Sequence, residues 1–141
     1  MRKKLLAPVL AVCLAVFLLA GCMSTLPDGF DDGEITKRGN EAIGYFNDRE
    51  FDKLIPLFAP EKQAELSVEF FNEKFGDALD KVGAYKDAEE SQMQGQTSED
   101  TGEEYVVAQV MLNYENGQLQ HVLIFNQDSQ LLAYRLGIVE E

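Results

Sequence analysis

The spacing of apolar residues in this chain changes period once, at Gly83, and no other feature restricts the fold as much. Before Gly83 apolar side chains recur every three or four residues, which lines one side of a helix. After it they recur every second residue, the spacing of a strand with one buried face. Helices followed by a meander of strands form an α+β plan, in which both kinds of element must share one core. The expected arrangement is three N-terminal helices packed on one face of a curved, mainly antiparallel four-stranded sheet.

Punctuation residues sharpen the helical half. Asp31 or Asp32 is placed to cap a first helix running to about Asn47, with Ile35, Ala42, Ile43 and Phe46 on one side. Asp52 is the expected N-cap of a short second helix striped by Phe51, Leu54, Ile55 and Phe58. Pro56 then falls at N4, at the start of that helix. Pro60 opens a further turn. Ser67 caps the longest helix, in which Phe71, Phe75, Leu79 and Val82 recur before Gly83 stops it.

In the strand half, Tyr85 to Met93 predicts a weak, polar strand and Gln94 to Glu104 an acidic loop. Tyr105 to Glu115 predicts a strong strand, Asn116-Gly117 a hairpin turn, and Leu119 to Asn126 the returning strand. Asp128-Ser129 turns again into Leu131 to Val139. A two-residue Asn-Gly turn pairs Tyr114 with Leu119, Leu112 with His121, Val110 with Leu123 and Ala108 with Phe125. One face then carries Val106, Leu112, Tyr114, His121, Leu123 and Phe125, joined by Leu132, Tyr134, Leu136 and Ile138. The other collects Gln109, Met111, Asn113, Gln120, Val122, Ile124, Ala133 and Arg135.

The first 21 residues have a different character. Arg2, Lys3 and Lys4 precede an apolar run from Leu5 to Leu19, too short for a comfortable membrane span of about 20 residues. That is the layout of an export signal. Leu19-Ala20-Gly21-Cys22 resembles the lipobox of bacterial lipoproteins, and the resemblance implies that Cys22 is alkylated by diacylglycerol and becomes the new N-terminus. Residues 1–21 are then the signal peptide, 22–33 a flexible tether (Met23 to Gly33 is polar with Pro and Gly), and 34–141 a single domain. The protein would be extracytoplasmic, lipid-anchored to the cell membrane, or to the outer membrane where the host has one.

Loss of the signal removes three positive charges and no negative ones, taking the net charge from −13 to −16. A surface so acidic repels nucleic acid and anionic headgroups. Cys13 leaves with the signal and Cys22 is consumed by lipid, so thiol chemistry and a Cys/His zinc site have no ligands.

The stretch Ala42-Ile43-Gly44-Tyr45-Phe46-Asn47-Asp48-Arg49-Glu50-Phe51-Asp52-Lys53-Leu54 places an aromatic-Asp helix start directly after another helix. With Leu79-Asp80-Lys81-Val82-Gly83-Ala84-Tyr85 and Leu123-Ile124-Phe125-Asn126-Gln127-Asp128, it resembles a family of bacterial domains, domain of unknown function 3887. That family occurs as small lipoproteins and fused to hydrolase domains. The resemblance covers about Glu34 to Val139 and implies the cone-shaped fold of the nuclear-transport-factor-two-like, or cystatin-like, superfamily. The family usually has Gly in the last turn, where Ser129 stands here. It supplies no catalytic residues to carry over.

Members of that superfamily use the cavity between sheet and helices. The polar candidates facing it are Tyr114, His121 and Tyr134, with Tyr45 and Tyr85 at the rim. A histidine between Leu112 and Leu136 could act as a general base, with Glu41, Glu73 or Asp77 as a helix-borne carboxylate to orient it. A lone histidine on an apolar strand face is more commonly a satisfied core residue. The acidic stretches Glu99-Asp100 with Glu103-Glu104 and Asp31-Asp32 with Glu34 lack the spaced ligands of a calcium loop. No metal or cofactor is implied. On the mixed face, Met111, Val122 and Ile124 form a strip suited to a homodimer or to docking of another envelope protein. The expected role is a non-catalytic binding or interaction module; the alternative is a small enzyme or small-ligand carrier built around His121.

Overall fold

The computed structural model describes residues 26–138. The export signal, the lipobox with Cys22, and Val139 at the end of the last expected strand lie outside the described residues.

Helix α1 spans Asp32–Asn47, and the Asp31 carboxylate caps it by accepting the Glu34 N–H at 3.1 Å. It ends where Arg49 takes a left-handed conformation, φ 60°, and turns the chain back at once. Helix α2 therefore starts at Phe51 and runs to Leu54, with Glu50 rather than Asp52 in the N-cap position. Pro56 has no N–H to continue an α-helical ladder, and Ile55–Leu57 tightens into a 3-10 turn. Helix α3 is the single turn Pro60–Gln63. Helix α4 spans Val68–Val82, with the Ser67 hydroxyl accepting the Phe70 N–H at 3.0 Å and Gly83 at φ 77° stopping it. The stripe Phe71, Phe75, Leu79 and Val82 is buried throughout.

Four antiparallel strands follow in the order β1 (Tyr85–Thr97), β2 (Glu104–Tyr114), β3 (Gly117–Phe125) and β4 (Leu131–Ile138), and the sheet is open. Three details depart from the sequence expectation. The stretch Gln94 to Thr97 is strand, not loop, paired with residues 104–107 of β2. Backbone groups make the ladder, and a polar sequence on a solvated edge strand does not prevent it. The loop shrinks to residues 98–103, closed by the Ser98 N–H on the Glu103 carbonyl at 2.8 Å.

The β2–β3 register is offset by two residues. Tyr114 pairs with Gly117, Leu112 with Leu119, Val110 with His121 and Ala108 with Leu123, so Glu115-Asn116 form the turn. The cause is tertiary. The Asn116 N–H donates to the Val82 carbonyl at 2.8 Å, and the Glu115 N–H to the Ala84 carbonyl at 2.9 Å. The hairpin tip thus satisfies a carbonyl left open at the end of α4. An offset of two preserves the alternation, and the face assignments on these two strands stand.

The last turn is Gln127–Ser129, one residue longer than expected. Ser129 N–H donates to the Asn126 carbonyl at 3.0 Å, and Ser129 itself is left-handed at φ 61°, a type I turn followed by a residue in the αL conformation. A bulge next to it pairs Phe125 with Leu131 rather than Leu132. Leu131 is fully buried, and its carbonyl accepts the Ala59 N–H at 2.8 Å.

Helix and strand side chains meet in one buried cluster, in which Phe46, Phe51, Phe71 and Phe75 share contacts with Val106, Leu123 and Phe125. Leu26 and Phe30 also pack against it. The ordered domain therefore begins before the helix, within the segment expected as tether.

Candidate functional site

Because β3 alternates with one face inward, His121 enters the core between Val110 on β2 and Leu136 on β4; Leu112, its expected neighbour, faces Leu119 instead. Its side chain is 0% exposed. Tyr114 and Tyr134, on the flanking strands, bring their hydroxyls to it. Nε2 lies 2.8 Å from the Tyr114 hydroxyl, and Nδ1 lies 2.6 Å from the Tyr134 hydroxyl. The chain of bonds ends on α1, where the Tyr114 hydroxyl donates to Oδ1 of Asn47 at 2.6 Å.

That end point sets every proton. An amide oxygen only accepts, so the single Tyr114 proton is committed to Asn47. The Tyr114 oxygen then accepts from Nε2–H, Nδ1 is left bare, and Tyr134 donates to it. Both ring nitrogens and both hydroxyl protons are matched, and all four groups are neutral. Burial pushes the His121 imidazolium down to about 3 from an ordinary 6.5. It also raises the Tyr114 and Tyr134 hydroxyls above their usual range.

Aromatic rings close the surroundings. Phe46 stacks on Tyr134 with centroids 4.5 Å apart and meets His121 edge-on at 5.1 Å, and Phe75 packs edge-on against Phe46 at 5.0 Å. The imidazole lone pair that a general base would use is thus occupied and sealed.

The structure brings Tyr114, His121 and Tyr134 together as the sequence suggested, but does not bring a carboxylate to them. Glu41, Glu73 and Asp77 are all exposed. Tyr45 is half-buried, and Tyr85 is 46% exposed with its ring edge-on to Tyr114 at 5.9 Å. Asp31 and Glu34 are engaged in the α1 cap and in an ion pair with Arg38 at 3.0 Å. Among the described residues, no three carboxylate, histidine or cysteine side chains converge as a metal site would need.

The larger clefts among the described residues lie elsewhere. One of about 620 Å³ is polar and lined by Glu61, Glu103, Glu104 and Asp128 near the hairpin loops. Another of about 250 Å³, beside Arg49, Asp80 and Tyr85, reaches Asn47 and Tyr114 but not the imidazole. Two residues central to the site, Asn47 and Phe46, escaped sequence analysis as site residues. Phe46 was visible only as core, and Asn47 carries no local signal because its partner is 67 residues away.

A solved structure, the NMR structure of a protein from Ruminococcus gnavus ATCC 29149, is similar with a TM-score of 0.66 at 23% identity. The match covers 78% of this chain and 94% of that one. At that identity the likeness concerns the fold alone. No curated protein matches the chain. The family model described as "Protein of unknown function (DUF3887)" matches residues 40–133, from within α1 to within β4. That is well over half of the sequence, and the chain belongs to this family.

Proposed function

We propose that this protein is a lipid-anchored extracytoplasmic interaction module, held at the membrane through Cys22 and pairing with a second copy through the outer face of its sheet. The observation carrying the non-catalytic part is the closure of His121: the one imidazole of the chain is unexposed, neutral and bonded at both nitrogens. In this reading the helices cover one sheet face in the cone-shaped manner of the nuclear-transport-factor-two-like superfamily. That leaves the other face for a partner.

The outer face suits a second copy for an electrostatic reason. Two chains of net charge −16 repel wherever their acidic surfaces meet. On this face Met111, Val122, Ile124 and Ala133 lie half-buried among amides. Asp87 accepts from Asn113 at 2.7 Å and Glu89 from Gln118 at 3.1 Å, and Glu90 lies beside Met111 at the β1 side of the strip. The strip itself is uncharged, with acids at its β1 side and Arg135 at its β4 side.

Two experiments test the reading. Feeding cells an alkyne-labelled fatty acid should label the wild-type chain and not Cys22→Ser; equal labelling removes the anchor. Sedimentation velocity of the full chain in a mild detergent should show a dimer that Met111→Lys with Ile124→Lys converts to monomer. A wild-type chain that stays monomeric sinks the self-pairing. An activity abolished by His121→Ala, with the far-ultraviolet dichroism unchanged, would replace the module with an enzyme.

A further inference from the structure

A second surface, at the β4 edge where it adjoins the outer face, has the chemistry of a peptide groove. Lys62 on α3, Lys74 on α4 and Arg135 on β4 line one groove of about 230 Å³ together with Phe70 and residues 132–134 of β4. The chain has twelve lysines and arginines, three of them in the signal. Three of the remaining nine therefore gather here, against the single acid Glu65. Arg38, Arg49 and Lys53 are ion-paired with Glu34, Asp80 and Glu50. Among the described residues none of the three groove cations is. Lys74 instead lies 5.5 Å from the ring centroids of Phe70 and Phe75.

The backbone beside these cations is open. β4 is the terminal strand, and beyond the bridge between Phe58 and Leu131 no further strand pairs with its outer edge among the described residues. The other edge, β1, carries Lys86, Asp87, Glu89 and Glu90, the charges that usually block strand addition. β4 reads LLAYRLGI and carries one charge, Arg135. Phe70, 39% exposed, offers an apolar contact in the same groove.

We propose that this groove binds an acidic, extended polypeptide segment as a fifth strand on the β4 edge. The segment's backbone pairs with residues 132–135, its carboxylates meet Lys62, Lys74 and Arg135, and an apolar side chain rests on Phe70. The overall charge of the domain does not forbid an acidic ligand. At physiological ionic strength the screening length is about 8 Å, so charges lining the groove outweigh distant ones. The proposal rests neither on self-pairing nor on Cys22; Ala133 and Arg135 stand where the groove meets the outer face.

The test uses the full chain in a neutral detergent and a short synthetic peptide alternating glutamate and valine. Isothermal titration should detect binding, and amide shifts should change along Leu132 to Arg135. Each of Lys62→Glu, Lys74→Glu and Arg135→Glu should weaken binding roughly tenfold, and the triple variant should abolish it with the dichroism spectrum intact. The same peptide N-methylated on alternate backbone nitrogens, or with lysine in place of glutamate, should not bind. Equal binding of the N-methylated peptide, shifts confined to another surface, or no binding of the acidic peptide would each overturn the proposal. So would phosphatidylglycerol nanodiscs that bind through the same three cations while the peptide does not, since the groove would then serve a lipid surface.

Discussion

The hydroxyl of Tyr134 lies 2.6 Å from Nδ1 of His121, reaching diagonally from the position opposite Leu123. It fills the one acceptor site that a neutral imidazole has to offer. A polar group at the centre of an aromatic core is tolerable only when every donor and acceptor is matched, and here the match depends on this contact and on the Tyr114 bond at the other nitrogen.

His121 should not titrate between pH 5 and 8, and should resonate as the neutral Nε2–H tautomer in long-range nitrogen–proton spectra. Its folded-state value is depressed to about 3, so between that value and about 6.5 the unfolded chain binds a proton that the folded chain excludes. Stability therefore falls as pH drops below 6.5, approaching about 1.4 kcal/mol per pH unit. Because the chain has one histidine, urea unfolding between pH 5 and 7, compared with the same series in His121→Phe, reads this effect. A histidine signal titrating near 6.5 would show the core to be open.

Tyr134→Phe should cost about 1–3 kcal/mol in urea unfolding, because it leaves Nδ1 buried without a donor. The ring is kept, so the stack on Phe46 at 4.5 Å survives and packing loss cannot account for the cost. The double variant His121→Phe with Tyr134→Phe should recover part of the loss, since both polar partners are then gone. Additive costs would show that the hydrogen bond contributes nothing.

The faces of the sheet were legible in the sequence because alternation is insensitive to an offset of two. Tyr114, His121 and Tyr134 fall on one face whether Leu112 meets His121 or Leu119. The register itself was not legible, because the Val82 carbonyl that holds Asn116 belongs to a helix end brought in by the fold. The exchange of Leu132 for Leu131 follows from Ser129 adopting a conformation that its side chain disfavours, which no local pattern announces. Gln94 to Thr97 look like loop because strand signals are apolar, while an edge strand needs only its backbone. The groove cations are invisible for another reason: Lys62, Lys74 and Arg135 are far apart in the chain, and only the seating of α3 and α4 against β4 collects them.

Ser129→Gly should stabilise the protein by about 0.5–1 kcal/mol. The left-handed φ of 61° costs a residue with a Cβ about 1–2 kcal/mol, more than the extra chain entropy a glycine gives to the unfolded state. Ser129→Val should be destabilising by at least as much as serine already costs, because β-branching worsens the same clash. Thermal melts of the two variants should shift in opposite directions; shifts of the same sign would mean that burial of the serine side chain outweighs the backbone.

Gly95→Ala should detach the N-terminal segment and leave the rest of the fold in place. Gly95 pairs with Val106 in the sheet, and a Cβ there would run into the ring of Pro27. Pro27 belongs to the turn closed by the Phe30 N–H on its carbonyl at 3.3 Å, between two residues that pack on the core, Leu26 and Phe30. The sheet cannot yield at a paired position, so the turn must. Hydrogen exchange should accelerate at Phe30 with little change in α4 or β3, and the global cost should be about 1–2 kcal/mol. The consequence reaches the proposed anchor. With Leu26 packed, Met23 to Thr25 alone separate it from Cys22, and the four steps between the two span at most about 14 Å. Releasing the turn back to the Asp31 cap more than doubles that leash, so energy transfer from a dye on the domain to one in the bilayer should fall in Gly95→Ala if Cys22 carries the lipid. Unchanged exchange at Phe30 would mean that Pro27 does not hold the segment, and unchanged transfer with accelerated exchange would mean that the attachment point lies elsewhere.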